Sequence, residues 1–118
     1  MSVVEDRLAA LGISIPEVVP PVASYVPAAR TGNLVFTSGQ LPFVAGELIA
    51  TGLLRKDVDE DTASKCAAQC AVNAIAAIKS LIGDLDKVVR VVKVVGFVAS
   101  TPESVSYTHL TLPTKRRV

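Results

Sequence analysis

Arg30-Thr31-Gly32-Asn33-Leu34-Val35-Phe36-Thr37-Ser38-Gly39-Gln40-Leu41-Pro42 is the stretch on which the fold turns. Gly32 and Asn33 tolerate positive φ and so suit a tight reversal. Residues 25–30 and 34–38 on either side read as the two strands of a hairpin. Pro27 has no N–H to donate, which places the first strand at an edge or a bulge. Ser38-Gly39-Gln40 ends the second strand. Gly39 carries no side chain, so a ligand or another backbone can come close there.

Upstream, Ser2 and Glu5 fit a capping box that opens a short helix. Val4, Leu8 and Leu11 form its apolar stripe, and Gly12 stops it. Residues 13–21 form an extended arm, because Pro16, Pro20 and Pro21 exclude helix and central strand alike. Downstream, Ala45-Gly46-Glu47 is a second turn, and residues 47–54 return as a short strand. An acidic run over 57–61 opens the longest helix, 59–82, where it complements the positive end of the helix dipole. Ala63, Ala67, Cys70, Ala74, Ile78 and Leu81 give that helix one face of mostly small apolar residues. Gly83 ends it. Residues 88–99 read as a long valine strand. Arg90 and Lys93 fall on its opposite faces, which implies burial on both sides or at an interface. Gly96 marks a candidate bulge.

A helix between two strands makes a crossover, so the strands it joins are expected to be parallel. The fold class is therefore α/β (α+β), a β-α-β sheet with helices on one face. The other face of that sheet calls for more chain or a partner subunit.

The 118 residues suffice for one domain, and half of them are hydrophobic, enough for a core without staples. A net charge of +1 gives no field for nucleic acid or membrane. No apolar run reaches membrane-spanning length, since Asn73 and Lys79 interrupt one and Arg90 and Lys93 the other. The N-terminus lacks a signal-peptide pattern, and a cytoplasmic location follows as the expectation. Cys66 and Cys70 sit on consecutive helical turns. A disulfide there would constrain little, and no histidine stands near enough in sequence to complete a zinc site. Both are read as buried free thiols. No metal and no cofactor is expected.

The texture changes after Pro102. Residues 105–114, Val-Ser-Tyr-Thr-His-Leu-Thr-Leu-Pro-Thr, continue no period and close no element. They back-translate as GTC TCT TAT ACA CAT CTG ACG CTG CCG ACG, a transposase sequencing adapter in frame. Ser104 can supply the preceding CT and Lys115 the A that follows. Residues 104–118, including the sole basic cluster Lys115-Arg116-Arg117, are thus expected to be a non-native tail. His109, the single histidine, is then expected to have no function. The chain divides into an N-terminal helix and proline arm (1–22), a partial domain (23–103) and this tail (104–118).

Ala23-Ser24-Tyr25-Val26-Pro27, the stretch 30–42 and Gly83-Asp84-Leu85-Asp86-Lys87-Val88 through Val94-Val95-Gly96-Phe97-Val98 together resemble the YjgF/Rid family, also labelled endoribonuclease L-PSP. The helix and proline arm are similar to its longer subgroup. The resemblance runs from about Val4 to Pro102. It implies a chorismate-mutase-like fold assembled as a homotrimer, with active sites at the subunit clefts. It also implies hydrolysis of reactive enamines and imines, such as 2-aminoacrylate, to ketoacids and ammonia. By the same resemblance Tyr25 lines the substrate cleft, Gly39 offers its backbone N–H to the substrate carboxylate, and Ser38 and Gln40 flank it. Against this, Tyr25 can equally be an interface packing residue. Ser38 and Gln40 can simply serve hydrogen bonding at the strand end.

The family's carboxylate-clamping arginine and water-orienting glutamate belong to the second half of its domain, where the tail stands. Arg30, Arg55 and Arg90 are not at the matching position. No catalytic residue is therefore assigned, and the chain as written is expected to be inactive. A non-catalytic trimer binding a small carboxylate ligand is the alternative. Endoribonuclease activity is a weaker one, because a near-neutral chain with 4% aromatics shows no RNA surface.

Overall fold

A computed structural model describes residues 2–18, 25–102 and 109–112, the last four by their backbone. The elements run α1 (Val3–Ala10), β1 (Ala28–Thr31), β2 (Leu34–Thr37), β3 (Phe43–Val44), β4 (Glu47–Leu48), α2 (Glu60–Ile82), a 3₁₀ turn (Leu85–Lys87), β5 (Val94–Phe97) and β6 (His109–Leu112). This is the mixed α/β class expected. The proline arm is irregular over 13–18, and its remainder lies outside the described residues, as do Ala23 and Ser24.

Turn chemistry fixes the two small hairpins. β1 and β2 pair antiparallel from Ala28–Thr37 to Thr31–Leu34. Gly32 lies at φ 56°. It is the first of the two central residues, where a II′ turn needs positive φ. β1 begins after Pro27, three residues later than expected, because proline cannot join the ladder as a donor. β3 and β4 pair through Ala45 (φ 53°) and Gly46 (φ 85°), the double left-handed pair of a I′ turn. Ala45 carries a Cβ in that region, so the turn is held against a local steric cost.

β4 ends at Leu48, well short of residue 54. Gly52 then turns at φ 113°. The Asp57 carboxylate accepts from Leu53 N–H at 2.9 Å and folds the loop back on itself. The strand-pairing part of this segment is confined to Leu54, which is 5% exposed. Leu54 N–H donates to the Ala99 carbonyl at 2.8 Å, and Thr101 N–H donates to the Leu54 carbonyl at 3.3 Å. Leu54 and Ser100 form a parallel bridge on the two sides of α2. The parallel crossover exists as that bridge, whereas the three sheets of the described residues are two-stranded and antiparallel.

Asp59 caps α2 by accepting from Thr62 N–H at 2.8 Å, and that bond holds its carboxyl below the usual carboxylate range. Gly83 ends the helix at φ 84°. α2 packs on β1, β2 and β3. Its buried line is Asn73, Ala76 and Ala77. The stripe expected from sequence is displaced: Ala67 and Leu81 are exposed, and Ala63, Ala74 and Ile78 are half-buried. Two hairpins contacting the helix along one flank account for the shift. Cys66 and Cys70 are half-buried free thiols rather than buried ones. Burial, and then the neighbouring Cys66, push the Cys70 thiol up. By length and composition alone α2 could cross a membrane, contrary to the sequence reading. It packs on the hairpins through a narrow line that includes the buried Asn73.

α1 is capped by Ser2, whose Oγ accepts from Glu5 N–H at 3.2 Å. Glu5 does not complete the capping box. Its carboxylate pairs with Lys79 on α2. Asp86, from the 3₁₀ turn, takes its place and accepts from Val3 N–H (2.8 Å), Val4 N–H (2.9 Å) and Ser2 Oγ (2.9 Å). A remote carboxylate thus satisfies two of the orphan donors at the helix start.

The long valine strand is the largest correction. Ladder geometry is confined to β5, and Val88, Val89, Val91 and Val92 are exposed. A strand is buried on two faces only when layers cover both, and among the described residues neither is covered. Gly96 sits in a regular register, opposite Leu110, with no bulge. The tail also differs from expectation: β6 pairs antiparallel with β5, from Val94–Leu112 to Phe97–His109. An open strand edge accepts extended chain through main-chain hydrogen bonds whatever its sequence.

Candidate functional site

The exit of the β1–β2 hairpin forms a cleft of about 470 Å³. Tyr25, Val26, Ala28 and Ala29 line one side, and Phe36, Thr37, Ser38 and Gly39 the other. Tyr25, Ser38 and Gly39, which the sequence singled out, therefore share one concavity. Gln40 does not line it. Its Nε2 turns back to the Ser38 carbonyl at 3.3 Å.

The hairpin register sets this geometry. Ser38 follows β2 directly, and its N–H donates to the Pro27 carbonyl at 2.9 Å. Its hydroxyl donates to the same carbonyl at 3.2 Å. The Ser38 proton is thus engaged with backbone, and among the described residues no base stands beside the hydroxyl to make it a nucleophile. Tyr25 is 42% exposed.

Gly39 follows with its N–H unmatched by an acceptor among the described residues. A Cβ built on Gly39 meets nothing within 4 Å, and its φ is not left-handed. The glycine is thus not demanded by backbone conformation. What it leaves open is the approach to the main chain.

Among the described residues the cleft wall carries no lysine, arginine, aspartate or glutamate. It offers two hydroxyls, a phenol, backbone polar groups and apolar carbon. Such a wall can hold a small, largely uncharged molecule and direct a hydrogen bond to one of its oxygens. By itself it has neither an ionic clamp nor a general base. Arg30 turns its Nε to the Gly32 carbonyl at 3.0 Å, and Arg55 pairs with Glu60 at 2.6 Å. Among the described residues no three His, Cys, Asp or Glu side chains gather as a metal site.

Residues 5–109 match the model of a family described as "YjgF/chorismate mutase-like, putative endoribonuclease". The chain belongs to this family. Protein TCP17 of Trypanosoma cruzi is 34% identical over 99 residues, 84% of this chain and 62% of its own length. A crystal structure of Atu1372 from Agrobacterium tumefaciens, a protein of unknown function, superposes with a TM-score of 0.74. It is 45% identical and covers 88% of this chain and 64% of its own. A "putative endoribonuclease" from Shewanella oneidensis gives a TM-score of 0.65 at 34% identity, over 69% of this chain and 54% of that one. The chain thus spans less than two thirds of the length of each of these relatives.

Asn73 escaped the sequence reading, which took it only as an interruption of an apolar run. It is fully buried, and its side-chain Nδ2 donates to the carbonyls of Leu41 at 3.1 Å and Phe43 at 3.0 Å. Two amides one turn apart among alanines, Gln69 and Asn73, are the signal that could have found it. Such a group is retained in a core only with its hydrogen bonds made. Asp86 was missed for a different reason, since a cap supplied from more than eighty residues away leaves no local pattern.

Proposed function

We propose that the cleft binds a small carboxylate-bearing enamine or imine, and that the family domain hydrolyses it to a ketoacid and ammonia. The observation that carries this reading is the Gly39 N–H, open at the mouth of a cleft of small-molecule size. In the reaction an enamine first moves a proton from nitrogen to its terminal carbon to give the imine, water adds across the C=N bond, and the resulting carbinolamine expels ammonia to leave C=O. The electrophile is already reactive, so the protein must mainly position water and fix the carboxylate. Gly39 N–H supplies one donor for that carboxylate, and Tyr25 bounds the cleft.

The charged clamp and the water-orienting carboxylate are absent from this wall. In the proposed enzyme they come from chain outside the described residues or from a second subunit of a homotrimer. The exposed Leu34, Phe36 and Val44 are apolar surface available for such assembly. We also propose that residues 104–118 are adapter-encoded, which resequencing of the locus tests directly. A genomic clone encoding the same tail would refute it.

The activity test is ammonia release from freshly generated 2-aminoacrylate. The 118-residue chain should give no release above background, and the reading frame without the adapter should give release. Release by the 118-residue chain, or none by the longer frame, contradicts the proposal. A second reading is a non-catalytic trimer that binds a small ligand, which the lack of a general base in this wall among the described residues favours. Binding without turnover in the longer frame would select it. An endoribonuclease role is the third reading: the family description and the Shewanella oneidensis structure carry that word, and the cleft wall has hydroxyls and backbone N–H groups but no cationic side chain among the described residues for a phosphate.

A further inference from the structure

We infer that Asn73 is a positioning residue for the cleft: from α2 it pins the turn that aims the Gly39 N–H. This rests on the ligand-site reading of Gly39 given above. Residues 38–43 leave β2 and must reverse toward β3 within a few residues. The reversal is made at Leu41-Pro42-Phe43, where Phe43 N–H donates to the Leu41 carbonyl at 2.8 Å. That bond closes a three-residue turn about Pro42, whose ring already fixes one backbone angle.

Asn73 bonds to both ends of this turn. Its Nδ2 has two N–H groups, and the carbonyls of Leu41 and Phe43 take one each, at 3.1 and 3.0 Å. Its Oδ1 accepts from Gln69 Nε2 at 2.9 Å, one helical turn earlier. The amide is thereby held on both sides. The Asn73 side chain is fully buried, and its partners are half-buried or exposed. Aspartate has no N–H for the two carbonyls, and leucine would leave the Phe43 carbonyl unpaired and the Leu41 carbonyl with only its bond from Phe43 N–H. The side chain reaches the turn two residues beyond Gly39, and it is the only fully buried large side chain among the described residues. A helix that merely covered the hairpins could do so with alanine there.

The test uses the 118-residue chain, amide hydrogen exchange and ¹⁵N-resolved NMR titration with 2-oxobutanoate, a ketoacid of the product class. Asn73→Ala is compared with Ala77→Gly, which loosens α2 without touching the turn. Asn73→Ala should speed exchange at Phe43 about tenfold more than Ala77→Gly at matched stability. It should also move the Gly39 amide resonance and weaken 2-oxobutanoate binding about tenfold. Gln69→Ala should shift the same signals in the same direction by less. If Asn73→Ala fails to fold, Gln69→Ala alone decides. Equal effects of the turn and helix variants, or an unchanged Gly39 amide, would overturn the inference. If the unaltered chain does not bind 2-oxobutanoate, the ligand reading falls, and the exchange arm still decides whether Asn73 sets the turn.

Discussion

The helix layer over the two hairpins and the valine segment after it are both rich in small or branched apolar residues, yet they end in opposite environments. Ala76 and Ala77 are 3% and 0% exposed, whereas Val89 is 96% exposed. The helix layer has polar ties to the elements around it: Asn73 to Leu41 and Phe43, and Lys79 to Glu5 of α1. Within the described residues the valine segment is held by ladder bonds of β5 to β6, which read no side chain. Apolarity makes burial favourable, but a partner surface is needed to realise it. The valine segment has the first without the second.

The sharpest break of this comparison is at Asn73. Asn73→Leu keeps the volume, removes one of the two bonds to the Leu41 carbonyl and strands the Phe43 carbonyl and the Gln69 amide, which should cost about 3 kcal/mol in urea denaturation. A cost under about 1 kcal/mol would mean the ties do not distinguish the helix layer. Ala77→Leu should follow at about 2 kcal/mol, through overpacking against the hairpins. Asp86 tests the edge of the layer. Backbone N–H bonds from Val4 and Val3 hold its carboxyl below the usual carboxylate range. Its folded value lies below the unfolded one, so the contribution is present above the unfolded value and lost as pH falls through the folded one. Val3 and Val4 amide exchange should therefore quicken in acid, below about pH 4, and Asp86→Asn should remove that acid dependence. Val89→Lys should change stability by no more than about 0.5 kcal/mol. A larger loss would show that a partner covers this valine.

What was legible in the sequence was local. Gly32, Gly46 and Gly83 announce turns and a helix end because positive φ restricts which residues can stand there. Ser2 and Asp59 announce helix starts because their side-chain oxygens meet nearby N–H groups. The valine strand was over-read because alternation and β-propensity describe a surface that fits a sheet, not a sheet that exists. At the site, Tyr25, Ser38 and Gly39 came together because one hairpin carries all three. Gln40 went elsewhere because its amide found the Ser38 carbonyl. Asn73 and Asp86 were not legible, since their partners lie 30 or more residues away and no local period encodes them.

In the proposed function, Gly39 is kept open for a ligand rather than for a turn. The most direct test is Gly39→Ala, a residue that the backbone accepts and that meets no neighbour. The substitution should leave the urea midpoint within about 0.5 kcal/mol of the unaltered chain. In the same samples, adding 2-oxobutanoate should shift the Gly39 amide strongly in the unaltered chain. The amide at the same position of the G39A variant should not shift. Equal binding by both chains, or a loss of stability in place of a loss of binding, would contradict the account.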